Sequence, residues 1–172
     1  IVMRNRAAHI ALSKSADSTP ILQGVAIPQS PDSQRGLIKP QMWSLAMRVL
    51  FLCVGNTCRS QMAEGWAKHF GLEAASAGTS ADPGSSVAEN AVAVMAEKGI
   101  DISDQQPSLV NDVDHTTFDK VFSMGCGVSC PNITLDGDWN LDDPVGKSLD
   151  DYRKTRDAIE AHVQSLIDGC EI

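Results

Sequence analysis

Cys53, Arg59 and Ser60 stand together at the end of the run Val49-Leu50-Phe51-Leu52-Cys53-Val54-Gly55-Asn56-Thr57-Cys58-Arg59-Ser60. Four apolar residues lead into the cysteine, a small polar loop follows, and Met62, Ala63, Trp66 and Phe70 then recur on one side of a helix that Gly71 stops. That order predicts a buried strand, a tight turn and a helix N-terminus. Amide N–H groups of such a turn and of the first helical turn converge on one point and favour negative charge there. A tetrahedral oxyanion suits the cup, and the Arg59 guanidinium can hold two of its oxygens. Val54, Gly55, Asn56, Thr57, Cys58, Arg59 and Ser60 are therefore expected to bind it. The same donors favour the thiolate of Cys53, a nucleophile aimed at phosphorus or arsenic. Ser60 is expected to donate to that sulfur, and Gly55 and Asn56 to supply positive φ. A cysteine six positions before an arginine also occurs as a plain buried thiol; the strand, Ser60 and the helical pattern argue against that here.

A second candidate is Leu141-Asp142-Asp143-Pro144-Val145-Gly146. Asp and Pro are ordinary turn formers. Beside an anion cup, however, Asp143 is expected to serve as general acid on a loop stiffened by Pro144, with Asp142 positioning it. The third is Met124-Gly125-Cys126-Gly127-Val128-Ser129-Cys130-Pro131. Two thiols so close in a loop can approach disulfide distance, and the strand end puts Cys126 on the same sheet edge as Cys53. A redox relay is the functional reading, two half-buried thiols in a turn the plain one. Cys58 is read as structural, Cys170 is assigned nothing, and His69, His115 and His162 are read as surface residues.

The elements that must position these groups alternate. Strands are expected at Arg48–Cys53, Glu73–Ala77 and Phe118–Met124, with a fourth at Ile133–Leu135 or Trp139–Leu141. Helices are expected at Ser60–Phe70, from a capping box at Ser86-Val87-Ala88-Glu89 to Gly99, and from Ser148 to Gly169 with Tyr152, Ile159, Val163 and Leu166 inward. A short helix is expected near Leu109–Val113. Alternation of this kind predicts an α/β fold, a parallel sheet with helices on both faces and the ligand beyond the carboxyl ends of the strands.

The chain has 172 residues, 42% of them hydrophobic, enough for one domain with a real core. No apolar run approaches the roughly 20 residues of a membrane span, and no secretory pattern is convincing, so a cytoplasmic protein is expected. The five cysteines form an odd set that argues for catalytic or redox thiols over a static disulfide framework. Their spacing gives little support to structural zinc. A net charge of -8 argues against nucleic acid as partner, and an anionic substrate then needs a local positive cup. Residues 1–46 are richer in Ser, Pro and Gln and basic. They are expected to form a flexible N-terminal extension, or to reflect translation upstream of Met47, and 47–172 the catalytic domain.

The run Cys53-Val-Gly-Asn-Thr-Cys-Arg59-Ser60-Gln-Met-Ala-Glu-Gly resembles arsenate reductases built on the low-molecular-weight tyrosine phosphatase fold. So do Ser76-Ala-Gly, Asp101-Ile-Ser, Met-Gly-Cys126 through Cys130-Pro, and Trp139-Asn-Leu-Asp-Asp143-Pro-Val-Gly-Lys147. The resemblance covers nearly all of 47–168 and none of 1–46. It implies a four-stranded parallel sheet flanked by helices. It further implies that Cys53 attacks arsenate held by the loop and Arg59 while Asp143 protonates the leaving oxygen. Cys126 then attacks Cys53, arsenite leaves, and Cys130 takes over the disulfide. Thioredoxin or a small thiol would reduce it, no cofactor stays bound, and phosphate or sulfate would compete with arsenate. The three-residue gap between Cys126 and Cys130 is shorter than in the best-known thioredoxin-linked members. Some members bind potassium through Asn, Glu, Ser and Asp; Asn56, Glu64 and Ser76 match three, but Ser108 stands in place of the Asp, and no metal is expected. The alternative is a tyrosine phosphatase acting through a phosphocysteine. It is weakened by Val145-Gly146-Lys147 after Asp143-Pro144, where such enzymes usually carry tyrosines.

Overall fold

The structure, a computed structural model, describes residues 47–125 and 133–169. Residues 1–46, Cys126, Cys130 and Cys170 lie outside the described residues. Four strands, β1 (Arg48–Cys53), β2 (Glu73–Gly78), β3 (Lys120–Ser123) and β4 (Gly137–Asp138), form one parallel sheet in the order β2-β1-β3-β4. Three α-helices, α1 (Arg59–His69), α2 (Glu89–Ala96) and α3 (Leu149–Asp168), lie between and after them. β1 is central and buried on both faces, which is why its sequence reads as a continuous apolar run.

Residue alternation along β1 splits the core in two. Val49, Phe51 and Cys53 face a large cluster that takes in Met62, Ala63 and Trp66 of α1, Ala91, Val94 and Met95 of α2, and Tyr152, Ile159 and Val163 of α3. Leu50 and Leu52 face a smaller cluster with Ala77 and Val121, against which Val110, Val113, Phe118, Ile133 and Leu135 pack. Helix thus covers both faces unevenly: three α-helices on one, short 3-10 turns at Val110–Asp112 and His115–Thr117 on the other. Full burial of each large apolar side chain of β1 contributes roughly 1.5–3 kcal/mol, so this strand anchors the whole fold.

Two expectations are corrected by long-range contacts. The fourth strand is Gly137–Asp138, between the two segments expected. The pairing runs on at both ends through Asp136 N to Val121 O and Trp139 N to Ser123 O, at 2.8 and 2.9 Å. Trp139 is left free to pack on Phe51 and Phe122, with ring centroids at 5.3 and 5.4 Å. α2 starts at Glu89 with Ala88 as N-cap, and the Ser86 capping box does not form. Instead the Ala88 N–H binds the Thr57 carbonyl at 2.8 Å, so the anion loop itself fixes where α2 begins. The capping box is on α3, where Ser148 and Asp151 cap each other reciprocally and Gly169 closes the helix in the left-handed region.

α2 and α3 are joined by a charged staple. Glu97 accepts from Arg153 at 2.6 Å and from Arg156 at 2.8 Å, and buried Arg156 also binds the Val94 carbonyl. These two guanidinium groups pull the Glu97 carboxyl down to about 2 from 4.5. Because the folded-state value is depressed, the staple stabilises the fold above the ordinary carboxylate value and the contribution is lost as pH falls from there toward about 2. Glu97→Gln is expected to lower the melting temperature at neutral pH, and the gap to wild type should close over that acid window when thermal melts are run as a pH series.

Candidate active site

The site sits where β1 ends. From Cys53 to Cys58 the chain makes a tight loop before α1 starts at Arg59. Asn56, fully buried, takes the left-handed turn at φ 50°; Gly55 is not in that region, so only the second of the two expected positions uses it. The loop's carbonyls are drawn outward. Those of Cys53 and Val54 accept from Thr79 and Ser80 N–H, that of Asn56 from Gln61 Nε2, and those of Thr57 and Cys58 from Ala88 and Met62 N–H. With the carbonyls committed outside, the amides turn inward, and no hydrogen bond among the described residues uses those of Gly55, Thr57 and Cys58. Gly78 makes this possible: a Cβ there would lie 2.4 Å from the Val54 carbonyl oxygen.

Cys53 Sγ lies 2.9 Å from Ser60 Oγ and accepts the Asn56 N–H at 3.0 Å. Either atom can donate in the Ser60 contact, while the Asn56 N–H donates to the sulfur. Cys58 is different. Burial first, and then the charge of Asp143, push its thiol up to about 12, so it stays protonated. Its Sγ is 3.9 Å from Asp143 Oδ1. As expected of a structural thiol, it is buried within the loop.

Arg59 ties two neighbouring loops to the cup. Its Nη1 donates to the Leu141 carbonyl at 2.9 Å and the Met124 carbonyl at 3.3 Å, and Nη2 pairs with Asp143 Oδ2 at 2.7 Å. The Nε–H is buried with no partner. A guanidinium fixed at one edge with an unspent N–H at the other is a clamp awaiting an acceptor. Asp143 also takes the Val145 N–H at 3.1 Å, which folds the Asp-Pro turn over the pocket. The pocket, about 400 Å³, is lined by Val54, Arg59, Gly125, Asn140, Leu141, Asp142 and Asp143. At its wall Gly125 (φ 87°) meets Asn140 so closely that a Cβ would sit 2.4 Å from its Cα. No side chain larger than hydrogen fits where the chain turns toward Cys126.

Cys53, Asn56, Arg59, Ser60 and Asp143 are therefore brought together, and Val54 lies exposed at the mouth. Cys126 and Cys130 lie outside the described residues. Sequence reading missed Gln61, whose amide orients the Asn56 carbonyl, and the Met124 and Leu141 carbonyls that hold Arg59. Gln61 is fully buried in the first turn of α1, and its neighbours one and two turns on, Glu64, Gly65 and Lys68, gave no sequence signal of it. The potassium oxygens do not fit a cation. Asn56 Oδ1 accepts from Ser108 N–H at 2.7 Å, the two Glu64 oxygens are taken by Lys68 and Ser76, and Ser108 brings no carboxylate. Among the described residues no cluster of three His, Cys, Asp or Glu is placed to hold a metal.

Residues 48–129 match the family model of the low molecular weight phosphotyrosine protein phosphatases. The chain is 39% identical over 125 residues to a glutaredoxin arsenate reductase of Synechocystis sp., covering 70% of this chain and 95% of the relative. It is 31% identical over 123 residues to an arsenate reductase of Staphylococcus aureus strain Newman, covering 69% and 94%. A solved arsenate reductase in a phosphate-binding state superposes with a TM-score of 0.66 at 38% identity, over 73% of this chain and 99% of that one. The chain belongs to the low molecular weight phosphotyrosine protein phosphatase family, among its arsenate reductases.

If Arg59 is the clamp, Arg59→Lys removes the planar fork and keeps the charge. Phosphate binding, measured by calorimetry, is expected to weaken by about tenfold or more. An unchanged affinity would place the anion elsewhere.

Proposed function

We propose that this protein reduces arsenate to arsenite with Cys53 as nucleophile. The cup carries this reading: a sulfur hydrogen-bonded to the Asn56 N–H and to the Ser60 hydroxyl faces inward amides and an unspent, buried Arg59 N–H. An incoming oxyanion competes with Asp143 for Arg59 and meets loop amides that need no rearrangement. Cys53 bonds to arsenic as one arsenate oxygen leaves, with Asp143, folded over the pocket, as the proton donor to that oxygen.

Reduction needs two electrons, and a dithiol supplies them. In the proposed relay Cys126 attacks Cys53 sulfur, the S–As bond breaks with its electron pair staying on arsenic, and arsenite leaves. Cys130 then attacks Cys126, freeing Cys53 and leaving a Cys126–Cys130 disulfide. The Synechocystis relative is by name a glutaredoxin arsenate reductase. With the short gap between Cys126 and Cys130, that supports a glutaredoxin or small-thiol donor alongside thioredoxin. Phosphate-ester hydrolysis uses the same cup without the relay. Among the described residues, however, the pocket has no aromatic wall to grip a tyrosine ring, and Tyr152, the only tyrosine, is buried in the core. We assign residues 47–172 as the catalytic domain and read 1–46 as an extension outside it, working in a reducing compartment. No helix among the described residues is long and apolar enough to cross a membrane.

Cys53→Ser is expected to abolish both arsenate reduction and ester hydrolysis. Cys126→Ser and Cys130→Ser should stop repeated turnover but spare hydrolysis of a phosphate ester; normal turnover in either would mean that another thiol closes the cycle. An NADPH-coupled arsenate assay with thioredoxin, glutaredoxin plus glutathione, and a small thiol alone identifies the donor. The glutaredoxin arm is expected to sustain turnover, and equal failure of all three arms would contradict reduction.

A further inference from the structure

We propose that Asn140 is a specificity-determining residue, whose side-chain amide meets the oxygen of the bound anion that points out of the cup and so favours a free oxyanion over its ester. This deepens the reduction reading and rests on the cup at Cys53 being the anion site.

Asn140 lines the pocket together with Arg59, Asp142 and Asp143. Its backbone is pinned through both neighbours. Before it, the Trp139 N–H binds the Ser123 carbonyl at 2.9 Å, and the indole stacks on His162 with ring centroids 4.8 Å apart. After it, the Leu141 N–H binds the Met124 carbonyl at 3.1 Å, and the Leu141 carbonyl accepts from Arg59 at 2.9 Å. The Asn140 N–H itself goes to Asp138 Oδ1 at 2.9 Å. Gly125 packs against the Asn140 Cα, which a Cβ on the glycine would meet at 2.4 Å. Held in this way, Asn140 takes φ 46°, in the left-handed region. Its side-chain amide has no hydrogen-bond partner among the described residues.

The groups beside it show what an unspent amide can do there. Asp142 and Asp143, when ionised, only accept hydrogen bonds and repel an anion's oxygens. Arg59 spends Nη1 on two carbonyls and Nη2 on Asp143, and its free Nε–H is buried. Asn140 is exposed and brings a neutral NH2 group to the pocket. A nucleophile attacks in line with the leaving group. The leaving oxygen therefore lies opposite Cys53 and points out of the cup, while the loop amides and Arg59 take the other oxygens. In free arsenate or phosphate, the outward oxygen has lone pairs for the Asn140 NH2 and for the Asp143 proton together. In an ester, a carbon takes the place of one partner and crowds the amide. A site that hydrogen-bonds a substrate group discriminates against an analogue that lacks it.

The left-handed backbone allows a clean deletion. Glycine adopts a positive φ without steric cost, so Asn140→Gly removes the amide while keeping the turn and the contact with Gly125. Asn140→Asp keeps the shape and replaces the donor by a further carboxylate.

The test is calorimetric binding of inorganic phosphate and of phenyl phosphate to the full chain, in a Cys53→Ser background where the ester is not turned over. Adding Asn140→Gly is expected to weaken phosphate by about tenfold and to leave phenyl phosphate within about twofold. The melting temperature should not fall. Asn140→Asp should weaken phosphate further than Asn140→Gly does. With Cys53 intact, Asn140→Gly should raise the KM for arsenate in step with the loss of phosphate affinity. Unchanged phosphate affinity in Asn140→Gly would overturn the proposal. So would equal losses for phosphate and ester, or a phosphate loss accompanied by a lower melting temperature. Phosphate failing to bind the wild-type chain and the Cys53→Ser chain alike would instead sink the anion-site reading, and this proposal with it.

Discussion

The outward commitment of the loop carbonyls is the constraint on which the site depends. A six-residue turn cannot present several amides to one point unless its carbonyl oxygens are satisfied elsewhere, since a buried unpaired carbonyl is costly. Thr79, Ser80, Gln61, Ala88 and Met62 provide that satisfaction. They come from the segment after β2, from the first turn of α1 and from the N-cap of α2. Three elements are thereby fastened to the loop, and the start of α2 is decided by Thr57 and not by its own sequence.

Much of this was legible because local signals were strong. β1 reads as a buried strand, α1 and α3 carry clean apolar faces with glycine stops, and the Cys53-to-Ser60 spacing names the cup. What was not legible depends on partners far away in sequence. The Arg59 pair with Asp143 spans 84 residues and the Ser108 contact with Asn56 spans 52. The short fourth strand has no periodicity of its own. It forms where Gly137 passes the Phe122 ring, which a Cβ there would meet at 3.2 Å, and lets Trp139 settle against Phe122. Gly55 shows the opposite error: glycine permits a positive φ without requiring one, and Asn56 makes the turn alone.

Arg59 links the anion cup to the two loops to which we assign the relay and the proton donor. It holds the carbonyl of Met124, the last step before Gly125 and Cys126, and the carbonyl of Leu141, two residues before Asp143. One buried cation thus holds Met124 and Leu141, the roots of the proposed relay and acid loops, against the same anion cup. Phosphate and arsenate share charge and shape, so this cup cannot separate them. What separates their chemistry is the supply of electrons, which the proposed relay assigns to the thiols.

The central claim is therefore tested most directly by one turnover without a donor. Fully reduced protein is mixed with arsenate, and arsenite and cysteine pairing are read together by speciation and peptide mass spectrometry. The account predicts one arsenite per chain and a disulfide between Cys126 and Cys130, with Cys53 returned to the thiol. No arsenite, or arsenite with all of these cysteines still reduced, would contradict it.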